Sequence, residues 1–181
     1  MRIGLVCPYN YFRPGGVQAC VQEIALELEK RGHYVRTIAP KPRKTPESIP
    51  DNVILVGNSA ELSAMATKTD LGLSVSNEKI DTILAEQKFD VIHFHEPGAP
   101  VLGMQLVGRS KTAHVGTLHA NLPTGMVSKS YQKLMQPVAK YIETRIHVLT
   151  AVSTVAEATG RLYLPKTSVD VQIIPNGIRL S

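Results

Sequence analysis

Three histidines and one carboxylate stand at or near the ends of apolar runs, where they could act on a bound ligand. His93 and His95 alternate along the run DVIHFH, and Glu96 follows directly. His119 ends a second run, HVGTLH. A histidine at the carboxyl end of a strand can donate to a ligand oxygen or move a proton. An ordinary hydrogen-bonded histidine fits that position equally well.

A metal site formed by His93, His95 and Glu96 is the less favoured interpretation. Alternation along a strand puts His93 and His95 on one face, and Glu96 could supply a third ligand. The sequence offers no further histidine or cysteine at a telling spacing, so we predict no metal site. We expect His93 to be buried and hydrogen-bonded, with His95 and Glu96 on a pocket rim. Cys7 and Cys20 are expected to be reduced, small apolar side chains.

The segment PYNYFRPGGVQ places Gly15 and Gly16 directly before an amphipathic helix. Glycines there let a ligand approach the free N–H groups at a helix start, and a diphosphate would suit that position. The alternative is a tight turn that requires positive φ, and two glycines alone do not separate the two. The loop lacks the GxGxxG pattern, and APKPRK follows the next strand where a ribose-binding acid would stand, which argues against NAD.

Apolar runs alternate with helical patterns along the chain, which predicts an α/β fold with a mostly parallel sheet and helices on both faces. Gly32 should end the first helix, and Pro137 should kink or split a later one. The small, polar stretch 57–76 predicts a loop with at most a short helix. The predicted strands cover 3–7, 34–39, 53–56, 90–95, 113–118, 146–152 and 171–174. The predicted helices cover 17–28, 101–107 and 131–143, with two more capped by Ser76 or Asn77 and by Ser153.

In such a sheet, ligands bind beyond the carboxyl ends of the strands, near the point where the strand order reverses. That rule selects four segments: 8–16, 57–59, 95–98 and 119–125. The chain contains neither a GxSxG motif nor a paired-carboxylate pattern, which argues against hydrolases.

The bulk composition fits one globular domain of 181 residues with 43% hydrophobic residues and a net charge of +5. The apolar runs are shorter than the roughly 18 residues that span a membrane, and the N-terminal run is too short for a signal-peptide core. We therefore expect a cytoplasmic protein. The basic cluster at 41–44 is broken by proline and lacks aromatics, which favours a solvated loop over nucleic-acid binding.

Six segments in chain order resemble glycosyltransferase family four: MRIGLVCPYNYFRPGGVQ, GH after the first helix, FDVIHFHEPGAP, VGTLHA, AVS and IIPNGI. The nearest resemblance is to its branch of phosphatidylinositol mannosyltransferases. These are retaining enzymes of the GT-B architecture, in which two Rossmann-like domains enclose the active site. The resemblance implies that 1–178 form the N-terminal, acceptor-side domain and that 179–181 begin the linker. The C-terminal, donor-binding domain is then absent, and the isolated domain should be inactive.

The resemblance also assigns roles to individual residues. His119 matches the family's catalytic histidine, which contacts the transferring sugar. Gly15 and Gly16 would lie near the donor diphosphate. The acceptor pocket would be bordered by four residues: Tyr9, Asn10, Glu96 and Asn121.

The implied activity is retaining transfer of a hexosyl group, mannosyl by resemblance, from a nucleotide-diphosphate sugar such as GDP-mannose or a UDP-sugar. The acceptor would be lipid-linked or a polyol, and neither cofactor nor metal is needed. Association with the inner face of a membrane would be weak and peripheral, because Glu78, Asp81 and Glu86 offset Lys79 and Lys88. The alternative is a stand-alone module that binds a phosphorylated metabolite without catalysis.

Overall fold

The computed structural model describes residues 1–64, 67–99, 101–120, 129–163 and 170–177. Its strands are β1 (Arg2–Val6), β2 (Tyr34–Pro40), β3 (Val53–Val56), β4 (Asn58–Ala64), β5 (Thr67–Ser74), β6 (Val91–His95), β7 (Ala113–Leu118), β8 (Val148–Ala151) and β9 (Val171–Ile173). Its helices are α1 (Gly16–Lys30), α2 (Asn77–Gln87), α3 (Leu102–Arg109), α4 (Lys129–Glu143) and α5 (Thr154–Tyr163).

The main sheet of the described residues has seven strands in the order β3-β2-β1-β6-β7-β8-β9. Every neighbouring pair is parallel. This Rossmann-like arrangement confirms the predicted fold class. The strand order reverses between β1 and β6, and the loops that follow these two strands therefore meet at one edge of the sheet.

Two apolar clusters cover the two faces of this sheet. Ile3 and Leu5 of β1 join Val21 and Ala25 of α1 in one cluster. Val6, one position along the strand, belongs to the other cluster, together with residues of β6, α2, α3, α4 and α5. Successive side chains of a strand point to opposite faces, so the continuous apolar run of β1 serves both layers.

The helix ends follow the predicted capping. Ser76 caps α2 by accepting a hydrogen bond from the Lys79 N–H at 3.2 Å. Ser153 accepts from the Ala156 N–H at 3.1 Å at the start of α5. Gly32 adopts a φ of +80° just beyond α1, a conformation that glycine adopts without steric cost.

One local prediction is wrong, and one of two alternatives in another is excluded. Residues 57–76 contain β4 and β5, which pair antiparallel in a separate two-stranded sheet, where a loop or short helix was expected. A period of two is present in TKTDLGLS, where Thr67, Thr69, Leu71 and Leu73 alternate with polar or small residues. In addition, α4 continues through Pro137 as one helix, so the expected split does not occur, and the alternative of a kink stays a prediction.

Within the described part of the chain, we find no helix with both the length and the apolar composition needed to cross a membrane.

Candidate active site

The start of α1 is an open helix N-terminus at the carboxyl end of β1. Gly15 is the N-cap residue with φ −179° and ψ 156°, and it has no side chain to cap the helix. Its carbonyl accepts the first helical hydrogen bond, from the Ala19 N–H at 2.9 Å. The backbone is extended at Gly15 and helical at Gly16, and neither glycine has positive φ, so the alternative of a tight positive-φ turn is wrong. The free N–H groups of the first turn are available to an anion.

The two glycines differ in the space around them. A Cβ built on Gly16 meets no heavy atom of the described residues within 4 Å. A Cβ on Gly15 would collide with the side-chain amide oxygen of Gln18. The backbone at Gly16 is therefore open to a ligand, whereas Gly15 is packed against its own helix.

The loop between β1 and α1 is shaped by Asn10. The Asn10 Oδ1 accepts a hydrogen bond from the Phe12 N–H at 3.1 Å. The Asn10 carbonyl accepts from the Arg13 N–H at 3.2 Å and from the Gln18 Nε2 at 3.3 Å. These bonds give Asn10 a role in holding the loop, and its contact with an acceptor stays a prediction.

Tyr9 is half-buried beside the same loop and close to Glu96. Burial raises the pKa of the Tyr9 phenol, and electrostatic interactions with Glu96 and Cys7 raise it further. The hydroxyl therefore stays protonated and can donate a hydrogen bond. The electrostatic contact with Glu96 brings together two of the residues predicted to border the acceptor pocket.

Glu96 joins the ends of β6 and β7. Its backbone has a φ of 52°, in the left-handed region, and its N–H donates to the Thr117 carbonyl at 2.8 Å. Its Oε1 accepts the N–H groups of both His119 and Ala120. Burial raises the pKa of the carboxyl to about 7, although the two N–H bonds act to lower it. The carboxyl is thus held by the segment that follows β7.

His95 and His119 form a hydrogen-bonded pair of rings. The His95 Nδ1 lies 2.9 Å from the His119 Nε2. Burial lowers the pKa of His119 to about 4 and that of His95 well below its usual value, so both rings are neutral near pH 7. One of the paired nitrogens must carry the shared proton. His119 is half-buried, and His95 is only 1% exposed.

The burial of His95 and Glu96 corrects the expectation that they lie on a pocket rim. Glu96 is 7% exposed, so both side chains are in the interior. β6 is a central strand, paired with β1 on one edge and β7 on the other, so its end lies inside the sheet and not at its margin. His119, by contrast, is partly exposed.

His93 lies beneath this pair and is hydrogen-bonded, as predicted, although it is partly rather than fully buried. The His93 ring stacks on His95 with 4.3 Å between centroids, which confirms that the two share one face of the strand. The His93 Nε2 is 2.6 Å from the Thr117 Oγ1, which is 2.7 Å from the Thr150 Oγ1. Thr150 in turn donates to the Gly116 carbonyl at 3.3 Å. The chain of hydrogen bonds fixes the ring under the site.

Cys20 is a site residue that the sequence interpretation missed. Its Sγ and one ring nitrogen each from His95 and His119 all lie within 4.8 Å of one another. Cys20 is in the second turn of α1, and only the packing of that helix over the strand ends brings it to the histidines. Its spacing along the chain carries no signal of this contact. Asn121, the remaining predicted residue, lies outside the described residues.

A second histidine cluster occupies the opposite, amino end of β7. The His114 Nδ1 is 2.9 Å from the Arg145 carbonyl, and the His114 N–H donates to the His147 Nδ1 at 3.0 Å. The His114 ring meets Phe94 edge-on at 5.3 Å. Burial lowers the pKa of His114. These contacts are structural and lie away from the site.

Comparison with curated proteins gives relatives along the whole chain. The chain is 32% identical over 179 residues to a phosphatidyl-myo-inositol mannosyltransferase of Mycolicibacterium smegmatis, covering 98% of this chain and 44% of that protein. It is 31% identical over 179 residues to the protein of the same name from Mycobacterium tuberculosis, covering 98% of this chain and 45% of the relative. The chain thus spans less than half the length of the curated relatives it matches.

A solved structure agrees at the level of the fold. Sucrose-phosphate synthase from Thermosynechococcus elongatus superposes with a TM-score of 0.61 at 14% identity, over 96% of this chain and 47% of that one. The sequence profile described as Glycosyltransferase Family 4 matches residues 14–181. With that match over most of its length and mannosyltransferase relatives over nearly all of it, the chain belongs to glycosyltransferase family 4.

Proposed function

We propose that this chain is the acceptor-side domain of a retaining, nucleotide-sugar-dependent glycosyltransferase. The transferred group is a hexosyl group, with mannosyl the first candidate, and the donor is GDP-mannose or a UDP-sugar. The acceptor is lipid-linked or a polyol, and phosphatidyl-myo-inositol is the first candidate because the relatives are named for it.

One observation carries this proposal. An open helix start at Gly16 and a partly exposed histidine, His119, occupy the same edge of the sheet, beside the reversal of strand order. The helix start suits a diphosphate, because free N–H groups and the helix dipole favour negative charge there. The histidine can donate to, or accept from, a sugar hydroxyl. A transferase that cleaves a sugar from a diphosphate needs both a site for the diphosphate and a side chain that binds the sugar.

In the proposed reaction, the bond between the sugar C1 and the diphosphate oxygen breaks while the acceptor oxygen bonds to C1 on the same face. The acceptor proton passes to the leaving diphosphate. Negative charge develops on that diphosphate, and N–H groups at the start of α1 would stabilise it. His119 would hold the transferring sugar, while Glu96 positions His119 through its backbone.

We further propose that residues 1–178 form the first of two domains and that 179–181 begin the linker to the second. The relatives are more than twice as long as this chain, which supports a second domain in the same polypeptide. That domain would supply the cationic side chains that bind the donor diphosphate. The isolated chain is then inactive, and a cytoplasmic enzyme with weak peripheral contact to the inner membrane face fits a lipid acceptor.

The test begins with the mass of the polypeptide that carries this sequence in its source cells, which we expect to be about twice that of this chain. The longer polypeptide is then incubated with GDP-mannose or UDP-glucose and phosphatidylinositol vesicles, and glycolipid formation is measured. His119→Ala should lower kcat far more than it weakens acceptor binding. His33→Ala, at the opposite end of the sheet, is the matched control.

Two outcomes would overturn the proposal. A native polypeptide that stops at Ser181 and binds a phosphorylated metabolite would favour the stand-alone module. Unchanged turnover in His119→Ala would remove this histidine from the mechanism.

A further inference from the structure

The three side chains of Cys20, His95 and His119 form a compact group at the carboxyl end of the sheet. A thiol sulfur and two imidazole nitrogens lie within 4.8 Å of one another. Each comes from a different element: Cys20 from α1, His95 from the end of β6, and His119 from just after β7. Residues far apart in the sequence thus supply three potential ligand atoms at one point.

The donor atoms determine which ions would bind. Thiolate and imidazole ligands suit borderline or soft ions such as Zn²⁺ and Co²⁺, whereas Mg²⁺ and Ca²⁺ prefer oxygen ligands. Zinc bonds of about 2.0–2.3 Å place tetrahedral ligand atoms roughly 3.3–3.7 Å apart. The paired nitrogens of His95 and His119, at 2.9 Å, would separate slightly, and the sulfur would approach.

The second ring nitrogen of His95 is unpaired within the part of the chain that the structure describes. His95 is 1% exposed, yet its Nε2 has no hydrogen-bond partner among the described residues. Buried polar atoms are nearly always paired, because an unpaired one loses its hydration without compensation. Nε2 is not the nitrogen that faces His119, so an ion bound through Nε2 would use this unmet bonding capacity, whereas an ion bound between the two paired nitrogens would leave it unpaired.

The rest of the site is already ordered and reachable. His95 is held by stacking on His93, which is fixed by Thr117. Supporting contacts of this kind orient imidazole ligands in metal proteins. Cys20 and His119 are both partly exposed, so an ion can enter from solvent.

We propose that Cys20, His95 and His119 form a three-ligand site for a zinc-class divalent cation, with the fourth position open to water. This proposal differs from the expectation of no metal, which depended on spacing along the chain. It requires no transferase activity, and so it can be tested whether or not the proposed function holds.

The direct test uses Co²⁺ as a spectroscopic probe on the 181-residue chain. We expect one equivalent to give a thiolate-to-cobalt absorption band, and Zn²⁺ but not Mg²⁺ to displace it. Cys20→Ala should abolish the band, and His95→Gln should weaken binding by more than about tenfold, since even residues that only orient a ligand contribute that much. Cys7→Ala removes the other, buried thiol and should keep the band.

A second measurement needs no variant and remains decisive if Cys20→Ala fails to fold. Alkylation of the native chain is followed by peptide mass mapping with and without Zn²⁺. Zn²⁺ should slow modification of Cys20, while Mg²⁺ should not. A cobalt band that survives Cys20→Ala, or Cys20 alkylation that Zn²⁺ leaves unchanged, would overturn the site and leave an ordinary hydrogen-bonded histidine pair.

One consequence rests on the proposed function. Because His119 would also contact the transferring sugar, bound Zn²⁺ should inhibit transfer by the longer polypeptide. The ratio of rates without and with Zn²⁺ should fall toward one in Cys20→Ala. An unchanged ratio, alongside a cobalt band that depends on Cys20, would overturn this consequence while leaving the metal site intact.

Discussion

The Oε1 of Glu96 accepts the backbone N–H of His119, so a side chain at the end of β6 fixes the residue that directly follows β7. The same oxygen also accepts the N–H of Ala120. Glu96 thereby acts as a clamp on the segment that carries the histidine. Its own backbone is in the left-handed region, which supports a positional role for this residue.

The clamp predicts different effects for two substitutions of Glu96. Glu96→Gln keeps an oxygen that can accept both N–H groups, and we expect the free energy of unfolding to change by less than about 1 kcal/mol. Glu96→Ala leaves both N–H groups without their acceptor and should lower it by about 2 kcal/mol or more. Urea unfolding at pH 7 measures both. Equal losses in the two variants would contradict the clamp.

The threonine pair beneath the site should show coupling. Thr117→Val removes the partner of the partly buried His93 Nε2 and should cost about 2 kcal/mol of unfolding free energy. Thr150→Val should cost about 1 kcal/mol, because Thr117 still bonds to His93. A double-mutant cycle measured by urea unfolding tests this. Strict additivity would show that the two hydroxyls act independently.

The two glycines at the start of α1 should respond in opposite ways. Gly16→Ala has room for its methyl group and should raise the unfolding free energy by up to about 1 kcal/mol. Gly15→Ala forces the Gln18 side chain away from its bond to the Asn10 carbonyl and should lower it by about 1 kcal/mol. Thermal unfolding monitored by circular dichroism distinguishes them.

In the longer polypeptide, Gly16→Ala should instead weaken donor binding. The methyl group would occupy the space through which a diphosphate approaches the N–H groups. Loss of one hydrogen bond to a charged phosphate corresponds to roughly tenfold to hundredfold in KM for the donor. A donor KM equal to that of the unmodified enzyme would show that the diphosphate binds elsewhere.

His114 predicts a loss of stability in mild acid. Burial holds its pKa below the ordinary 6.5, so the unfolded chain takes up a proton first as the pH falls. The contribution of His114 is therefore complete above pH 6.5 and declines as the pH falls toward its folded pKa. His147 adds to the shift, and the bond to the Arg145 carbonyl opposes it.

His114→Gln should reduce this acid sensitivity without removing it, because His93, His95 and His119 also have lowered pKa values. The measurement is the difference in unfolding free energy between pH 7.5 and pH 5, determined by urea titration for both proteins. The same difference in both proteins would show that His114 contributes nothing to the loss of stability in acid.

The sequence predicted the elements with strong local signals. Gly32 and Ser76 mark helix boundaries through backbone and capping chemistry that acts within a few residues, and both were identified correctly. The sheet formed by β4 and β5 was missed because Ala, Ser and Gly weaken the alternation of apolar and polar residues along these strands. Pro137 was expected to kink or split a helix that in fact continues through it.

The site was predictable only where its residues follow strands directly or begin a helix. Glu96 and His119 could be found from the rule that ligands bind at carboxyl strand ends. Gly16 was found from a separate signal, a glycine pair directly before an amphipathic helix. His95 is buried because β6 is a central strand of the sheet. The position of Cys20 depends on how α1 packs over the sheet. Neither property is encoded locally, so no pattern along the chain could reveal it.

His114 lies at the start of β7 and His119 directly follows its end, and the two histidines have different roles. His114 belongs to a stabilising cluster, and His119 to the site, about 17 Å away along an extended backbone. Replacements that improve acid tolerance at the first end should therefore leave ligand affinity at the second untouched. Stability in acid and ligand affinity can therefore be changed separately, through substitutions at opposite ends of β7.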